Sequence, residues 1–378
     1  MEKIKVLQIL SDTNIGGAGR LLFNLAESID HDKFEFIYVF PRGSELCKQF
    51  RKQNHRNKIY TISGGRNRSL DLRAAADIRW IIKSAQPHII HTHSSLFARI
   101  GAHLAGFDKK RIVYTKHCVF ELPKITQSKA FRRAYRIADD LLATNIIAVA
   151  ESAKDELIAY GVNKNKIKVI INGVKPLKES TEKEKQALRE SLGIKQNDFV
   201  VGISARLEEY KGHKTLIEAA AISKKEGTHN IVFLIMGSGS YEETLQNYAE
   251  SLGVTDRVIF LGFKPNVADY VNIFDVNVNC SIGTETSSLA ISEGLSLGKP
   301  VIASDFGGNP NMVKNGTTGF IFRQNDALAL YEKIIFLKNH PNTLKYMSTN
   351  AKLDFNERFS ADIMAGEYEG FYYNVLTK

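Results

Sequence analysis

Apolar, strand-like runs alternate with helical stretches along the whole chain, and this alternation limits the possible folds more than any other feature. Seven such runs occupy the first half, from Lys5–Leu10 to Lys168–Ile171, and five occupy the second, from Phe199–Ser204 to Pro300–Ala303. Strands that alternate with helices form parallel sheets covered by helices on both faces. The sequence therefore predicts an α/β protein with two Rossmann-like, doubly wound domains.

The length of 378 residues also favours two domains, because a single core rarely grows that large. We place the first domain at residues 1–174, a linker at 175–189, where charge is dense and no strand pattern occurs, and the second domain at 190–355. The aromatic-rich end, about 356–378, is expected to be a helix that either packs back on the first domain or caps the second. Open α/β sheets bind ligands at the carboxyl ends of their strands, so we expect the domains to face each other across a ligand-binding cleft.

The net charge of +10 is unevenly placed: residues 1–175 carry about +14 and the remainder about −4. The excess is dense between residues 51 and 68 and again between 109 and 136. It forms either an ordinary solvated surface or a surface that meets an anionic membrane or a lipid-linked phosphate. Nucleic acid is disfavoured as a partner, because neither stretch contains a recognisable binding module.

Composition further predicts the compartment. The apolar content of 43% is typical of globular proteins, no apolar run reaches membrane-spanning length, and no signal peptide opens the sequence. The three cysteines (Cys47, Cys118 and Cys280) share no metal-ligand spacing. We therefore expect a cytoplasmic protein with no metal site; peripheral attachment at the inner face of the plasma membrane is the alternative to a free protein.

The stretch from Gly283 to Gly319 carries the strongest chemical signal. Glu285 lies in a polar loop, and Glu293 follows eight positions later in a helical run that begins after Thr286, Ser287 and Ser288. Backbone N–H groups at such a helix start can face an anion, and carboxylates beside them can accept hydrogen bonds from sugar hydroxyls. This combination favours a sugar-phosphate ligand.

Two glycine pairs follow predicted strands, Gly16 with Gly17 and Gly237 with Gly239. Glycines let a backbone approach a phosphate closely, although a plain strand–helix turn explains them equally well. The first pair does not match the dinucleotide fingerprint, because the third glycine and the acidic ribose ligand are absent.

Two cations, Arg206 and Lys211, straddle another loop after a strand. They can hold a diphosphate and stabilise the charge on it as it leaves, or they can form exposed ion pairs with Glu208 or Glu209. Spacing alone slightly favours the ion pairs.

Three histidines follow strands in the first domain. We interpret His91 and His93 as structural and His117 as the better functional candidate, since no spacing supplies the partners of a metal site.

These elements occur in the order seen in retaining glycosyltransferases of the GT-B fold, and the sequence most resembles the large bacterial family 4 group. The resemblance covers nearly the whole chain. Its most specific part is the pair of glutamates eight positions apart with the following segment 298–304. Many members have a Gly-Phe-Gly-like stretch after the first glutamate, whereas this chain has 286–289, Thr-Ser-Ser-Leu.

The resemblance implies a role for each candidate residue. The catalytic set would be His117 beside the reacting sugar, Arg206 and Lys211 on the diphosphate, and Glu285 on the sugar hydroxyls. The donor-binding set would be Gly16, Gly17, Gly237, Gly239, Thr286, Ser287, Ser288 and, on the ribose, Glu293. The enzyme would need no cofactor and no metal; it would use a UDP- or GDP-linked sugar as donor and a glycan or lipid-linked acceptor.

Two alternatives stay open. A sugar-nucleotide 2-epimerase shares the two-domain architecture, but it needs acid and base carboxylates around the sugar that the sequence does not identify. A non-catalytic protein that binds sugar nucleotides or glycans would also keep the fold.

Overall fold

The computed structural model describes residues 2–13, 15–53, 58–65, 71–93, 95–119, 122–142 and 145–377. The chain forms two compact units: unit 1 contains residues 1–173 and 361–378, and unit 2 contains residues 174–360. Each unit is built on one parallel sheet with interleaved helices, which confirms the predicted α/β class with two Rossmann-like halves. Arg56, Arg66 and Arg68, three members of the first basic stretch, lie outside the described residues.

Unit 1 has a seven-stranded sheet in the order β3-β2-β1-β4-β5-β6-β7. Its strands are β1 (Ile4–Leu10), β2 (Phe34–Pro41), β3 (Ile59–Ile62), β4 (Ile89–His93), β5 (Ile112–Lys116), β6 (Asn145–Ala148) and β7 (Ile167–Val169). Its helices are α1 (Gly17–Ser28), α2 (Glu45–Gln53), α3 (Leu72–Ala85), α4 (Leu96–Leu104), α5 (Lys129–Leu142), α6 (Glu151–Ala159) and, from the chain end, α15 (Ala361–Thr377). Short 3₁₀ turns lie at Lys109–Arg111, Lys124–Gln127 and Lys164–Lys166.

The two faces of this sheet pack against different helices, because successive side chains of a strand point to opposite faces. Val6 and Ile89 lie on the face covered by α1 and α15, and Leu7 and Ile90 lie on the face covered by α3 and α4. Helix α15 thus completes the core of unit 1. It begins at Ala361 rather than near residue 356, because the preceding helix of unit 2 continues to Arg358.

Unit 2 has a six-stranded sheet in the order β10-β9-β8-β11-β12-β13. Its strands are β8 (Phe199–Ser204), β9 (Ile231–Met236), β10 (Val258–Gly262), β11 (Val276–Asn279), β12 (Val301–Ser304) and β13 (Gly319–Phe322). Its helices are α7 (Glu182–Ser191), α8 (His213–Lys225), α9 (Glu242–Ser251), α10 (Val267–Asn272), α11 (Leu289–Ser296), α12 (Asn309–Met312), α13 (Ala327–Asn339) and α14 (Pro341–Arg358), and a 3₁₀ turn spans Glu209–Lys211.

The segment expected to be a linker, 175–189, instead belongs to unit 2 and contains most of α7. Thr181 begins this helix with a reciprocal cap: its hydroxyl accepts from the Glu184 N–H, and the Glu184 carboxylate accepts from the Thr181 N–H. Leu188 and Leu192 then pack against a buried cluster of the unit. The segment looked like a linker because charged residues dominate its sequence, but it forms a short amphipathic helix.

Candidate functional site

The candidate residues of each unit lie where parallel strands end and the order of the sheet reverses. The reversal falls between β1 and β4 in unit 1 and between β8 and β11 in unit 2. Loops that follow two such strands diverge and leave room for a ligand. In unit 2 these are the loop after β8, with Arg206 and Lys211, and the loop after β11, with Glu285.

An ion pair joins these two loops of unit 2. The Lys211 Nζ lies 2.7 Å from Glu285 Oε2, and both side chains are largely buried. Gly212 allows this approach: its φ is +68°, and a Cβ atom there would lie 2.0 Å from the Cys280 carbonyl oxygen. Only glycine fits that position, so the turn that carries Lys211 rests directly on the end of β11.

Glu285 is held as an ionised hydrogen-bond acceptor. Burial by itself would raise its pKa, but the Lys211 ammonium, with hydrogen bonds from Lys211, Ser281 and Asn279, outweighs burial and holds the pKa below its usual value. The Ser281 Oγ lies 2.8 Å and the Asn279 Nδ2 3.3 Å from Oε2, the oxygen that also meets Lys211. The other oxygen, Oε1, takes no part in these bonds.

The buried polar network around Glu285 extends further than the sequence indicated. Asn279 also donates to the Ser288 hydroxyl at 3.0 Å and accepts from the Ser281 N–H at 3.0 Å. Asn309 donates to Asn279 at 3.4 Å and to the Ser304 hydroxyl at 3.1 Å. Sequence reasoning missed Asn279, Ser281, Ser304 and Asn309; the available signal was the alternation of valine and asparagine along β11.

The residues after Glu285 lead into α11. Thr286, Ser287 and Ser288 are buried, and Ser288 is the residue that precedes the helix. Glu293 lies within α11 and is partly buried. The structure thus brings the predicted loop residues beside the ion pair and places Glu293 about one helical turn further along.

The two predicted phosphate-binding cations share one aromatic neighbour. The Arg206 guanidinium carbon is 5.9 Å, and the Lys211 Nζ 5.6 Å, from the centre of the Tyr210 ring. Arg206 is exposed. Lys211 pairs with Glu285 rather than with its sequence neighbours, and Glu208 accepts from the Ser240 hydroxyl instead. For Lys211, the exposed ion pair is therefore the wrong interpretation.

The two glycine pairs differ in their surroundings. A Cβ atom on Gly237 would lie 1.9 Å from the Ala205 carbonyl oxygen, and one on Gly239 would lie 2.2 Å from that of Leu207. Close backbone packing alone accounts for these two glycines. Beside Gly16 and Gly17, by contrast, a Cβ atom would meet no atom of the described residues within 4 Å. Close packing against the described residues therefore does not account for this pair.

His117 follows β5 in unit 1 and contacts His93, with the Nε2 of His117 2.9 Å from the Nδ1 of His93. Burial lowers the pKa of His117 to about 4 and that of His93 well below its usual range, so both rings are neutral near pH 7.

Across the described residues, no group of three or more His, Cys, Asp or Glu side chains could hold a metal ion. None of the helices in the same residues is both long and apolar enough to cross a bilayer.

Comparison with known proteins identifies the family. Residues 184–354 match the model described as glycosyl transferases group 1, and residues 15–176 match that of glycosyltransferase family 4. The UDP-Gal:alpha-D-GlcNAc-diphosphoundecaprenol alpha-1,3-galactosyltransferase of Escherichia coli is 28% identical over 360 residues, which cover 93% of this chain and 92% of that protein. The putative glycosyltransferase EpsD of Bacillus subtilis is 27% identical over 312 residues, or 80% of this chain and 81% of that one.

Solved structures share the fold over the full chain. A glycosyltransferase from Rickettsia africae ESF-5 superposes with a TM-score of 0.84 at 21% identity and covers 100% of both chains. Anabaena Alr3699/HepE in complex with UDP-glucose gives a TM-score of 0.80 at 21% identity and covers 98% of this chain and 100% of the other. The chain belongs to the GT-B glycosyltransferases of the group 1 and family 4 type, as its sequence predicted, and is a glycosyltransferase.

Proposed function

We propose that this enzyme transfers a sugar from a nucleotide diphosphate sugar to a hydroxyl acceptor, with retention of the anomeric configuration and without a metal ion or other cofactor. The Lys211–Glu285 pair carries the proposal, because it holds a cation and a hydrogen-bond acceptor 2.7 Å apart at the strand ends. A donor sugar with its diphosphate presents the complementary hydroxyls and negative charge. The names of the relatives support such a donor: one is a UDP-Gal transferase, and one structure holds UDP-glucose.

The chemistry follows from the charges in unit 2. When the bond to the donor diphosphate breaks, negative charge grows on the leaving group, and the cations Arg206 and Lys211 stabilise it. Glu285 accepts a hydrogen bond from a hydroxyl of the sugar through Oε1, while Lys211, Ser281 and Asn279 hold Oε2. In this proposal Glu293 binds the ribose.

The same contacts suit substitution on one face of the sugar, in which the enzyme itself supplies no general base. A carboxylate whose pKa is lowered and whose Oε2 is occupied by three donors accepts hydrogen bonds but is a poor proton donor and a weak base. We therefore assign no acid or base role to Glu285. The oxygen of the leaving phosphate takes the proton of the acceptor hydroxyl instead.

A donor screen tests the proposal. Thermal shift with UDP- and GDP-sugars first identifies the donor, since a bound ligand raises the unfolding temperature. Turnover is then measured with excess EDTA, and the anomeric configuration of the product is read by NMR. We expect undiminished turnover and a retained anomer.

Other outcomes of this screen would contradict specific parts of the proposal. Loss of turnover under EDTA would refute metal independence, and an inverted product would refute retention. An isomer formed from donor alone would indicate the 2-epimerase. Tight donor binding without turnover on any acceptor would indicate a binding protein.

We further propose that unit 1 meets an anionic membrane surface and that the acceptor is a lipid-linked glycan precursor of a cell-surface polysaccharide or glycolipid, made at the cytoplasmic face. Helix α5 exposes Arg133 and Arg136 beside Ile137 and Leu141, which are 54% and 55% exposed, and Ile125 of the adjacent 3₁₀ turn is 56% exposed. Basic and apolar side chains on one helix face suit an interface with anionic lipid.

Vesicle sedimentation tests the membrane contact. The wild type should sediment with phosphatidylglycerol vesicles and remain in solution with phosphatidylcholine vesicles. Arg133→Glu with Arg136→Glu should abolish sedimentation. The same charge change on exposed residues of unit 2, Lys183→Glu with Lys225→Glu, should preserve it. Equal binding of the wild type to both kinds of vesicle would defeat the proposal.

A further inference from the structure

A continuous chain of hydrogen bonds crosses one face of the unit 1 sheet and ends at His117. Its inner half begins at Thr115 on β5. The His91 Nε2 lies 2.6 Å from Thr115 Oγ1, and the His91 Nδ1 lies 2.7 Å from the hydroxyl oxygen of Tyr372 on α15. The strand and the C-terminal helix are thereby joined through one buried imidazole.

The outer half continues from Tyr372 to His117. Gln8 on β1 donates from Nε2 to the Tyr372 hydroxyl at 2.9 Å, and its Oε1 lies 2.9 Å from the Nε2 of His93. The His93 Nδ1 in turn lies 2.9 Å from the Nε2 of His117. Five hydrogen bonds thus connect six side chains without a gap.

The strand register places these side chains together. Gln8 pairs with His91 across β1 and β4, and His93 pairs with Thr115 across β4 and β5, so all four point to the face that α15 covers. Apolar side chains of a buried cluster surround them. A buried polar group without a hydrogen-bond partner costs about 1–3 kcal/mol of folding free energy. The unbroken series of hydrogen bonds avoids this cost for all six side chains.

The chain has a direction, because a neutral imidazole has one N–H and one acceptor nitrogen. Gln8 donates to Tyr372 and presents its oxygen to His93, so the N–H of His93 is on Nε2 and its Nδ1 accepts. His117 must then donate from its own Nε2. The Tyr372 hydroxyl donates a hydrogen bond to His91 Nδ1, and His91 donates from Nε2 to Thr115, so all five bonds have the same donor-to-acceptor direction. Burial keeps the Tyr372 phenol protonated and His91 neutral.

We propose that Tyr372, Gln8 and His93 are positioning residues that fix His117 as the Nε2–H tautomer, which leaves its Nδ1 unprotonated and able to accept a hydrogen bond. The use of that nitrogen on a sugar hydroxyl is the second half of the proposal; it rests on the proposed function and on the family resemblance, which implies that His117 lies beside the reacting sugar. The first half is a property of unit 1 alone. Helix α15 supplies Tyr372 and in this way sets the tautomer of His117, three hydrogen bonds away.

Nitrogen NMR of ¹⁵N-histidine-labelled protein without substrate reads the tautomer directly. The His117 signals are assigned by their loss in His117→Asn. We expect the Nε2–H tautomer in the wild type and a mixture of both tautomers in Tyr372→Phe, which keeps the ring and removes the link. Gln8→Met interrupts the chain one step nearer to His117 and should give the same mixture.

Tyr38→Phe is the matched control. Tyr38 is buried in the same cluster, and its hydroxyl has no hydrogen-bond partner among the described residues. This variant should keep the wild-type tautomer and turnover. Tyr372→Phe should lower kcat by about tenfold, equivalent to about 1.4 kcal/mol, with little change in the donor KM.

The possible outcomes separate the two halves of the proposal. An Nδ1–H tautomer in the wild type, or an unchanged tautomer in both Tyr372→Phe and Gln8→Met, would overturn the chain as a positioning device. A changed tautomer with wild-type kcat would support the chain and overturn the contact of His117 with the sugar. Thermal unfolding of each variant distinguishes a local change from loss of folding.

Discussion

The polar clusters around Glu285 in unit 2 and around His117 in unit 1 are held together by different physical means. Unit 2 buries a charged pair, Lys211 with Glu285, and surrounds the carboxylate with neutral donors. Unit 1 also buries a charged pair, Lys116 with Glu156, but on the opposite face of its sheet. The side chains from His117 to Thr115 are neutral and are joined head to tail. A buried charge is stable only beside its partner, whereas a neutral chain needs every link to keep its direction. The first arrangement suits the binding of an anion and its hydroxyls, and the second suits the orientation of one ring.

The glycine loops near the two polar clusters differ in how closely they are packed. In unit 2 the loops pack backbone against backbone, so that Gly237 has no room for a Cβ atom. In unit 1 a Cβ atom on Gly16 would meet no atom of the described residues within 4 Å. The loops of unit 2 are therefore closely packed at Gly237, whereas the described part of the first loop of unit 1 leaves space at Gly16.

Breaking the charged pair should have the largest effect. Lys211→Met should lower kcat by roughly 10²–10³, since a group that stabilises developing charge is lost. It should also destabilise unit 2 by about 3–5 kcal/mol, because Glu285 is left buried without its cation. Steady-state rates and chemical denaturation measure the two effects.

The double variant Lys211→Met with Glu285→Gln provides the control for that experiment. It removes both charges, so it should recover most of the stability and none of the activity. Near-wild-type turnover of Lys211→Met would show that this lysine does not act on the leaving group. A double variant as unstable as the single one would show that the unpaired charge is not the cause.

Alanine substitutions in the two glycine loops should have smaller effects on stability, and the effects should differ between the loops. Gly237→Ala should destabilise unit 2 by about 1–3 kcal/mol, because the new Cβ atom overlaps a carbonyl oxygen and its φ of +147° disfavours a side chain. Gly16→Ala should leave the unfolding temperature unchanged and raise the donor KM. Thermal unfolding and donor kinetics test both variants. A stability loss at Gly16, or none at Gly237, would remove the distinction.

Mild acid should destabilise unit 1 more than unit 2, and this difference is the smallest of the expected effects. Burial lowers the pKa of His91 to about 3, of His117 to about 4, and of His93 well below its usual 6.5. The unfolded chain binds protons near pH 6.5 at these sites, so their stabilisation of unit 1 is complete above that pH and is lost as pH falls towards the folded values. In unit 2 the corresponding loss comes from His213, whose pKa burial also lowers to about 4, while the contribution of Glu285 is lost only below its usual 4.5.

Hydrogen exchange between pH 7 and 5, corrected for the intrinsic pH dependence, can follow each unit separately. Peptides from β4 should lose more protection than peptides from β11. An equal or opposite change would mean that the histidine chain accepts protons without loss of structure.

Much of this molecule was predictable from local patterns. The strand runs, the glutamate pair and the phosphate-loop candidates are all short-range signals, and the strand ends fell close to their predicted positions. The partner of Lys211 was not predictable, because Glu285 is 74 residues away and their contact depends on the order of β8 and β11 in the sheet. The sequence indicated structural roles for His91 and His93. It did not indicate the hydrogen bond between His91 and Tyr372, because Tyr372 lies on the last helix and no local pattern encodes that contact.

Unit 1 is assembled from two distant pieces of chain, with the whole of unit 2 inserted between residues 173 and 361. On the ribosome, unit 2 is fully synthesised and continuous before the segment that carries Tyr372 has emerged. Domains generally fold as units during synthesis. A nascent or prematurely terminated polypeptide can therefore complete unit 2 while the core of unit 1 lacks Met364, Tyr368 and Tyr372. The histidine region of unit 1 is thus completed only after unit 2 has been synthesised.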